Sequence, residues 1–232
     1  MLEVRRSLDR GYADHGWLKS YYSFSFADYY DPVFEDFGAL RVINEDRISP
    51  GRGYDNQPHR DVEILTYVLA GQLEHKDSLG NALVIRPGDV QRLSAGAGVT
   101  QSELNPSASQ EVHLLQIWIK PSADGLEPGY EQKRFTSGEK RGRLRLVASS
   151  GGEDGSVRIQ QDARVYTGFF NAAERAEFDV AKGRRAYAHV ASGSIAVNET
   201  RLNAGDGVKI TRPGRFALQS GRDAEVLMFD LP

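Results

Sequence analysis

Short apolar runs, each bounded by glycine or clusters of polar residues, recur along the whole chain. Residues 40–44, 62–69, 82–85, 112–119, 144–147, 186–190 and 226–230 are rich in β-branched, aromatic or aliphatic side chains and have strand rather than helix lengths. Helical periodicity is scarce. The run 112–119 (VHLLQIWI) is apolar at nearly every position, which predicts a central strand covered on both faces. Residues 76–81 (KDSLGN) join two runs as a hairpin turn does, and Arg86-Pro87-Gly88-Asp89 turns the chain before the next run. The pattern predicts an all-β meander of antiparallel strands.

A polar stretch at 121–142, with Pro128-Gly129 and the charged GEKRG at 138–142, interrupts this rhythm and reads as a linker. A repeat lies on either side of it. Tyr67-Val68-Leu69-Ala70-Gly71 precedes Pro87-Gly88-Asp89-Val90, and His189-Val190-Ala191-Ser192-Gly193 precedes Ala204-Gly205-Asp206-Gly207-Val208. The spacing is 17 residues from Gly71 to Gly88 and 12 from Gly193 to Gly205, so the second copy has a hairpin five residues shorter. With 232 residues at roughly 150 per domain, the reading divides the chain into units at 1–135 and 136–232.

Composition narrows the chemistry. Hydrophobic residues at 40% and charged residues at 26% suit a globular chain. Twenty-nine Lys and Arg against 32 Asp and Glu leave a net charge of -3, which offers no basic field for nucleic acid. The absence of cysteine excludes disulfides, thiolate nucleophiles and Cys-based metal sites, so a metal would need His, carboxylate or neutral oxygen ligands. The opening MLEVRRSLDRGYADHGW has no apolar signal region, and no run approaches the ~18 apolar residues of a membrane span. The expectation is a cytoplasmic protein without membrane partners, monomeric or a weak dimer.

Several residue groups are better explained by structure than by chemistry. His15, His75 and His113 have no second ligand at useful spacing, and Ser23, Ser25 and Ser94 lack a local base and a nucleophile elbow. Gly96-Ala97-Gly98 follows no βα unit, so it reads as a turn rather than a dinucleotide loop. The aromatic block Tyr21-Tyr22-Ser23-Phe24-Ser25-Phe26, with Tyr29 and Tyr30, could stack bases, but without a basic groove it reads as a packed strand. Lys182-Gly183-Arg184-Arg185 reads as a solvated turn.

Other blocks carry a family resemblance. Gly51, the pair at 57 and 59, Glu63, Gly71, Pro87-Gly88-Asp89 and the pair at 101 and 103 resemble the two motifs of the cupin superfamily. His15-Gly16-Trp17-Leu18, Ser23-Phe24-Ser25-Phe26-Ala27, Tyr29-Tyr30-Asp31-Pro32 and Leu40-Arg41-Val42-Ile43-Asn44 narrow it to the pirin family, including its quercetinase-like bacterial members. So do 63–68 (EILTYV), Ser94-Ala95-Gly96 and 113–119 (HLLQIWI). The dense match covers roughly 3–135. The resemblance implies a bicupin of two antiparallel β-barrels of jelly-roll type, the first holding one metal, usually iron, on a His-x-His and a His-x-Glu pair.

Residues i and i+2 of a strand share a face, so two such pairs can converge on one ion. The four positions here are Gln57, His59, Gln101 and Glu103. Amide oxygens are weaker donors than imidazole, so this set should hold iron or another divalent metal loosely or not at all. A lone interior His59 would otherwise be read as a satisfied core histidine. The matching register in the second barrel falls on Asp179, Ala181, Leu218 and Ser220, which is no metal set. Two readings follow. In the first, the pocket binds a small molecule, with an aromatic one in view, or serves a regulatory module. In the second, the chain is a metal-dependent dioxygenase similar to quercetin 2,3-dioxygenase, with Glu103 as metal ligand or general base.

Overall fold

The computed structural model describes residues 2–232, and in it the apolar runs become strands. The first half comprises β1 (Leu2–Arg5), β2 (Gly11–Asp14), β3 (Leu18–Tyr22), β4 (Leu40–Ile48), β5 (Gly53–His59), β6 (Glu63–Ala70), β7 (Leu73–Asp77), β8 (Ala82–Ile85), β9 (Asp89–Ser94), β10 (Val99–Leu104), β11 (Val112–Ile119) and β12 (Gly129–Arg134). After a short helix α1 (Ser137–Lys140) come β13 (Arg145–Ser149), β14 (Val157–Arg158), β15 (Arg164–Phe170), β16 (Ala176–Val180), β17 (Arg185–Val197), β18 (Thr200–Asn203), β19 (Gly207–Ile210) and β20 (Gly214–Leu231).

A seven-stranded sheet, in the order β12-β9-β6-β11-β4-β3-β2, faces a four-stranded sheet, β5-β10-β7-β8, and together they form the first barrel. A nine-stranded sheet built on β1-β19-β17-β20-β15-β13-β14, with β16 on β20 and β18 on β17, folds into the second. The all-β architecture of two barrels agrees with the sequence reading. β11 lies in the middle of its sheet and is buried on both faces because its alternate residues serve two cores. Leu114 packs inside the first barrel, while Leu115 and Ile117 pack outward against the second.

Several details differ from the sequence reading. The segment 121–142 is not a plain linker, because β12 pairs with β9 over six residues from Gly129 opposite Ser94 to Arg134 opposite Asp89. Its polar residues suit a half-buried edge strand. In the repeat, Gly71 turns the chain with φ +78°, but Gly193 lies inside β17 at a register shift. There its φ is +65° and a Cβ would fall 2.2 Å from the Asp223 carbonyl oxygen, so the bulge needs glycine. β1 also crosses the division at 135, since Leu2 to Arg5 pair with β19 of the second barrel. Lys182 to Arg185 is more than a solvated turn: Arg184 bonds Asp230 at 2.7 Å and Asp162 at 3.0 Å.

The two interiors differ in kind. The second barrel has an extended apolar core, with Phe170, Phe216, Leu218 and Met228 among its residues. The first has an apolar layer around Leu73, Val112 and Leu114 and another around Ile64, Leu93 and Val99. Between them runs a polar row set by strand register: Asn44 faces Gln116, Gln116 faces Thr66, and Thr66 faces Gln91. All four are buried. A third core joins the barrels, with Leu65, Tyr67, Leu115 and Ile117 from the first packed with Val165, Tyr187, Leu227 and Phe229 from the second. No helix is long and apolar enough to cross a membrane among the described residues.

His189 lies fully buried in β17, with neither ring nitrogen matched by a protein partner. Burial, reinforced by the Arg10 charge, pushes its pKa down to about 4. The unfolded chain therefore takes up the proton first, so this group's contribution is complete above pH 6.5 and is lost as pH falls toward 4. The loss is about 3 kcal/mol. Glu103 and Asp46, whose pKa values are raised, act in the opposite direction over part of this range. The measurement is accordingly the difference in urea stability between wild type and His189→Asn at pH 7 and pH 4.5. The variant should lose less stability than wild type on acidification; equal losses would refute the assignment.

Candidate functional site at the mouth of the first barrel

β5 and β10 run antiparallel, so Gln57 faces Gln101 and His59 faces Val99. A register shift between Gln101 and Glu103 brings Tyr54 opposite Glu103. The close approach requires Gly53, where a Cβ would stand 2.0 Å from the Glu103 carbonyl oxygen. Gln101 and Glu103 point to one face, as their spacing predicts, and both are buried. Gln57 and His59 are half-buried on the neighbouring strand.

Gln101 Nε2 donates to His59 Nε2 at 3.2 Å, while Gln101 Oε1 has no protein partner. Turning the amide over would only exchange which atom meets the ring, so the imidazole nitrogen is engaged either way. Burial depresses the His59 pKa, which favours the neutral ring. Glu103 Oε2 accepts from Gln116 Nε2 at 2.9 Å, and its Oε1 is unmatched by protein. Burial, with the Asp46 carboxylate adding to it, pushes the Glu103 pKa up to about 7. Asp46, bonded by Ser20 Oγ at 2.6 Å, is itself raised to about 6 by burial.

The polar row was not anticipated from the sequence. Its signal is a polar residue on the inward face of each of four strands: Asn44 after Val42, Thr66 between Ile64 and Val68, Gln91 before Leu93, and Gln116 between Leu114 and Trp118. Asn44 Oδ1, Thr66 Oγ1 and both amide atoms of Gln91 have no protein partner. Such buried groups bind water or a ligand, because each one left unmatched costs about 1–3 kcal/mol.

Trp118 connects this interior to the surface. Its Nε1 donates to Gln116 Oε1 at 3.2 Å, and its ring meets His59 and Phe26 edge-on, each at 5.4 Å between centroids. On its outer side is a cavity of about 570 Å³, lined by Phe26, Tyr29, Tyr30, Val42 and Val62, with Arg41 and Lys120 among its charged lining residues. Part of the aromatic block thus lines a cavity, while Tyr22 and Phe24 are packed inside as expected. His59 also borders a shallower hollow of about 340 Å³ with Pro58, Arg60 and Thr100.

Elsewhere the titratable residues make local contacts. His15 is exposed. His75 bonds Asp77 at 3.0 Å and stacks on Tyr130, and His113 bonds Glu45 at 2.8 Å. In the second barrel Asp179 is exposed and paired with Arg215, while Leu218 is in the apolar core.

The donor set at the mouth fits a transition-metal ion poorly. It offers one imidazole engaged by an amide, one carboxyl that holds its proton near neutrality, and two neutral amides. No group of three or more His, Asp or Glu able to hold a metal occurs among the described residues.

Known proteins resemble the chain over its whole length. The family profile "Pirin" matches residues 2–119, and "Quercetinase C-terminal cupin domain" matches residues 146–231. The quercetin 2,3-dioxygenase of Escherichia coli (strain K12) is 43% identical over 232 residues, covering 100% of this chain and 99% of that protein. A pirin-like protein of Caulobacter vibrioides is 40% identical over 228 residues, covering 97% and 98%. Among solved structures, a bacterial pirin from Escherichia coli in complex with nickel(II) has a TM-score of 0.95 and 43% identity, covering 100% and 99%.

Proposed function

The chain belongs to the pirin family, and from that membership we propose that it is a pirin in which small-molecule binding has replaced metal chemistry. The observation that carries this reading is the Gln101 amide bonded to His59 Nε2, in a donor set where two of the four positions are glutamine. Glycine-rich turns and strand register still bring the four positions to one mouth, so the scaffold is retained while its ligands have changed. The aromatic cavity seats the ring of a small aromatic molecule against Trp118 and Phe26. Trp118, through Gln116, links that ring to the buried Glu103, which exchanges a proton near neutral pH.

A second reading is supported by the relatives: a metal-dependent dioxygenase similar to the quercetin 2,3-dioxygenases, with Glu103 as ligand or base. Elemental analysis separates the two when the protein is purified without affinity tag or chelator, from media with and without added iron. The expected metal content is below about a tenth of an equivalent, as an amide-rich site predicts. Calorimetry with quercetin as the probe should then give the same affinity with and without nickel(II), and no dioxygen uptake. Near-stoichiometric iron, or quercetin turnover that depends on added metal, would establish the dioxygenase instead.

A further inference from the structure

A buried ammonium stands between the two barrels, away from the mouth just described. Thr136 and Glu139 form a capping box, the Glu139 carboxylate accepting from the Thr136 N–H at 2.7 Å, and this fixes the short turn of α1. The turn drops Lys140 inward until it is 2% exposed. Its Nζ donates to the Tyr67 hydroxyl at 2.9 Å and lies 4.4 Å from the centre of the Phe169 ring. Tyr67 in turn donates to Glu225 Oε1 at 2.5 Å. Glu225 is thus reached through one hydroxyl, and the ammonium has no direct ion pair among the described residues.

Beside this chain of contacts is a cavity of about 370 Å³ with an apolar wall of Leu69, Phe135 and Phe169 and with Lys140, Arg134 and Glu225 among its polar lining residues. Arg134 is mostly exposed and held by Asp89 at 3.2 Å. A buried charge is expensive unless it is paired directly. We propose that this cavity binds a small organic monoanion, a carboxylate carrying an apolar body, whose head group pairs with Lys140 and whose body lies on the apolar wall. Lys140, on the connection, and Glu225, on β20, meet Tyr67 of β6 here, so the bound acid would bridge the barrels and stabilise their packing. Burial lowers the Lys140 pKa against the opposing pull of the Glu225 charge, and an anion bound beside it would raise it again. The inference is independent of what the first barrel binds.

The probe is benzoate, compared with benzamide at matched ionic strength, read by thermal unfolding and calorimetry on the full chain. Benzoate should raise the melting temperature and benzamide should not. Lys140→Met should weaken benzoate at least about tenfold, the scale of a charge-assisted contact. Glu225→Gln removes the competing carboxylate while leaving an acceptor for Tyr67, and should tighten benzoate severalfold. If Lys140→Met fails to fold, the benzamide comparison and Glu225→Gln still decide. Equal binding of benzamide, unchanged binding in Lys140→Met, or loss of binding in Lys120→Met alone, which places the anion in the aromatic cavity, would overturn the proposal.

Discussion

Changing Gln57 and Gln101 together to histidine should turn this chain into a metal protein, with about one equivalent of nickel(II) or iron bound against less than about a tenth in wild type. The strand frame is already in place: Gln57 faces Gln101, His59 lies two residues from the first, and Glu103 lies two from the second. Position 57 is half-buried and accepts a ring readily. Position 101 is 1% exposed, but glutamine and histidine have similar volumes, so the ring can take the place of the amide without overpacking. It also removes the amide that occupies His59 Nε2. A metal at this position would ionise Glu103, whose pKa near 7 otherwise keeps a proton on much of the population at neutral pH. Metal loading at pH 6.5 should therefore release a proton that the same titration at pH 9 does not. Either single substitution leaves one amide in the set and should bind metal at least about tenfold more weakly than the double. If the double variant stays metal-free, the pocket has been remodelled beyond these two positions, and the first barrel is a binding chamber whose metal chemistry is not recoverable.

How much of this was legible in the sequence depends on whether a contact is local along a strand. The pairs 57/59 and 101/103 could be placed on one face because alternation within a strand follows from backbone geometry. β11 could be called central from its unbroken apolar run, and the structure places it there. The Trp118–Gln116–Glu103 connection was not visible, since it depends on how two sheets face one another. The same holds for Lys140: 138–142 reads as polar linker, and only the capping box at 136–139 reveals that the chain turns inward. Edge strand β12 escapes the sequence pattern because its residues are half-buried and carry charge, so the alternation lacks apolar contrast. The aromatic block reads as packing, which holds for Tyr22 and Phe24 but not for Tyr30, 68% exposed at the rim of the cavity.

Phe229→Ala should cost about 3–5 kcal/mol and lower the unfolding midpoint of both barrels together. Phe229 is fully buried on β20, on the face opposite the second barrel's own core, and it shares the inter-barrel core with Leu65, Leu115 and Ile117. Tyr187 holds this layer together, with ring centres 5.3 Å from Phe24, 6.2 Å from Phe37 and 6.4 Å from Phe229. Because these aromatics come from both halves, neither barrel can open without exposing them, and β1 adds a strand that the second sheet borrows from the amino end. One cooperative transition follows. The test uses the positions of the two tryptophans, Trp17 and Trp118, both in the first half. A cavity made in the second barrel's outward face should shift the tryptophan fluorescence transition and the far-ultraviolet circular dichroism transition by the same amount. If the fluorescence midpoint stays at its wild-type value while the circular dichroism splits in two, the barrels are separate folding units and the shared core contributes only local packing. A single displaced transition would mean that the site at the mouth of the first barrel takes part of its rigidity from the second barrel, which is a role for a half built around an extended apolar core.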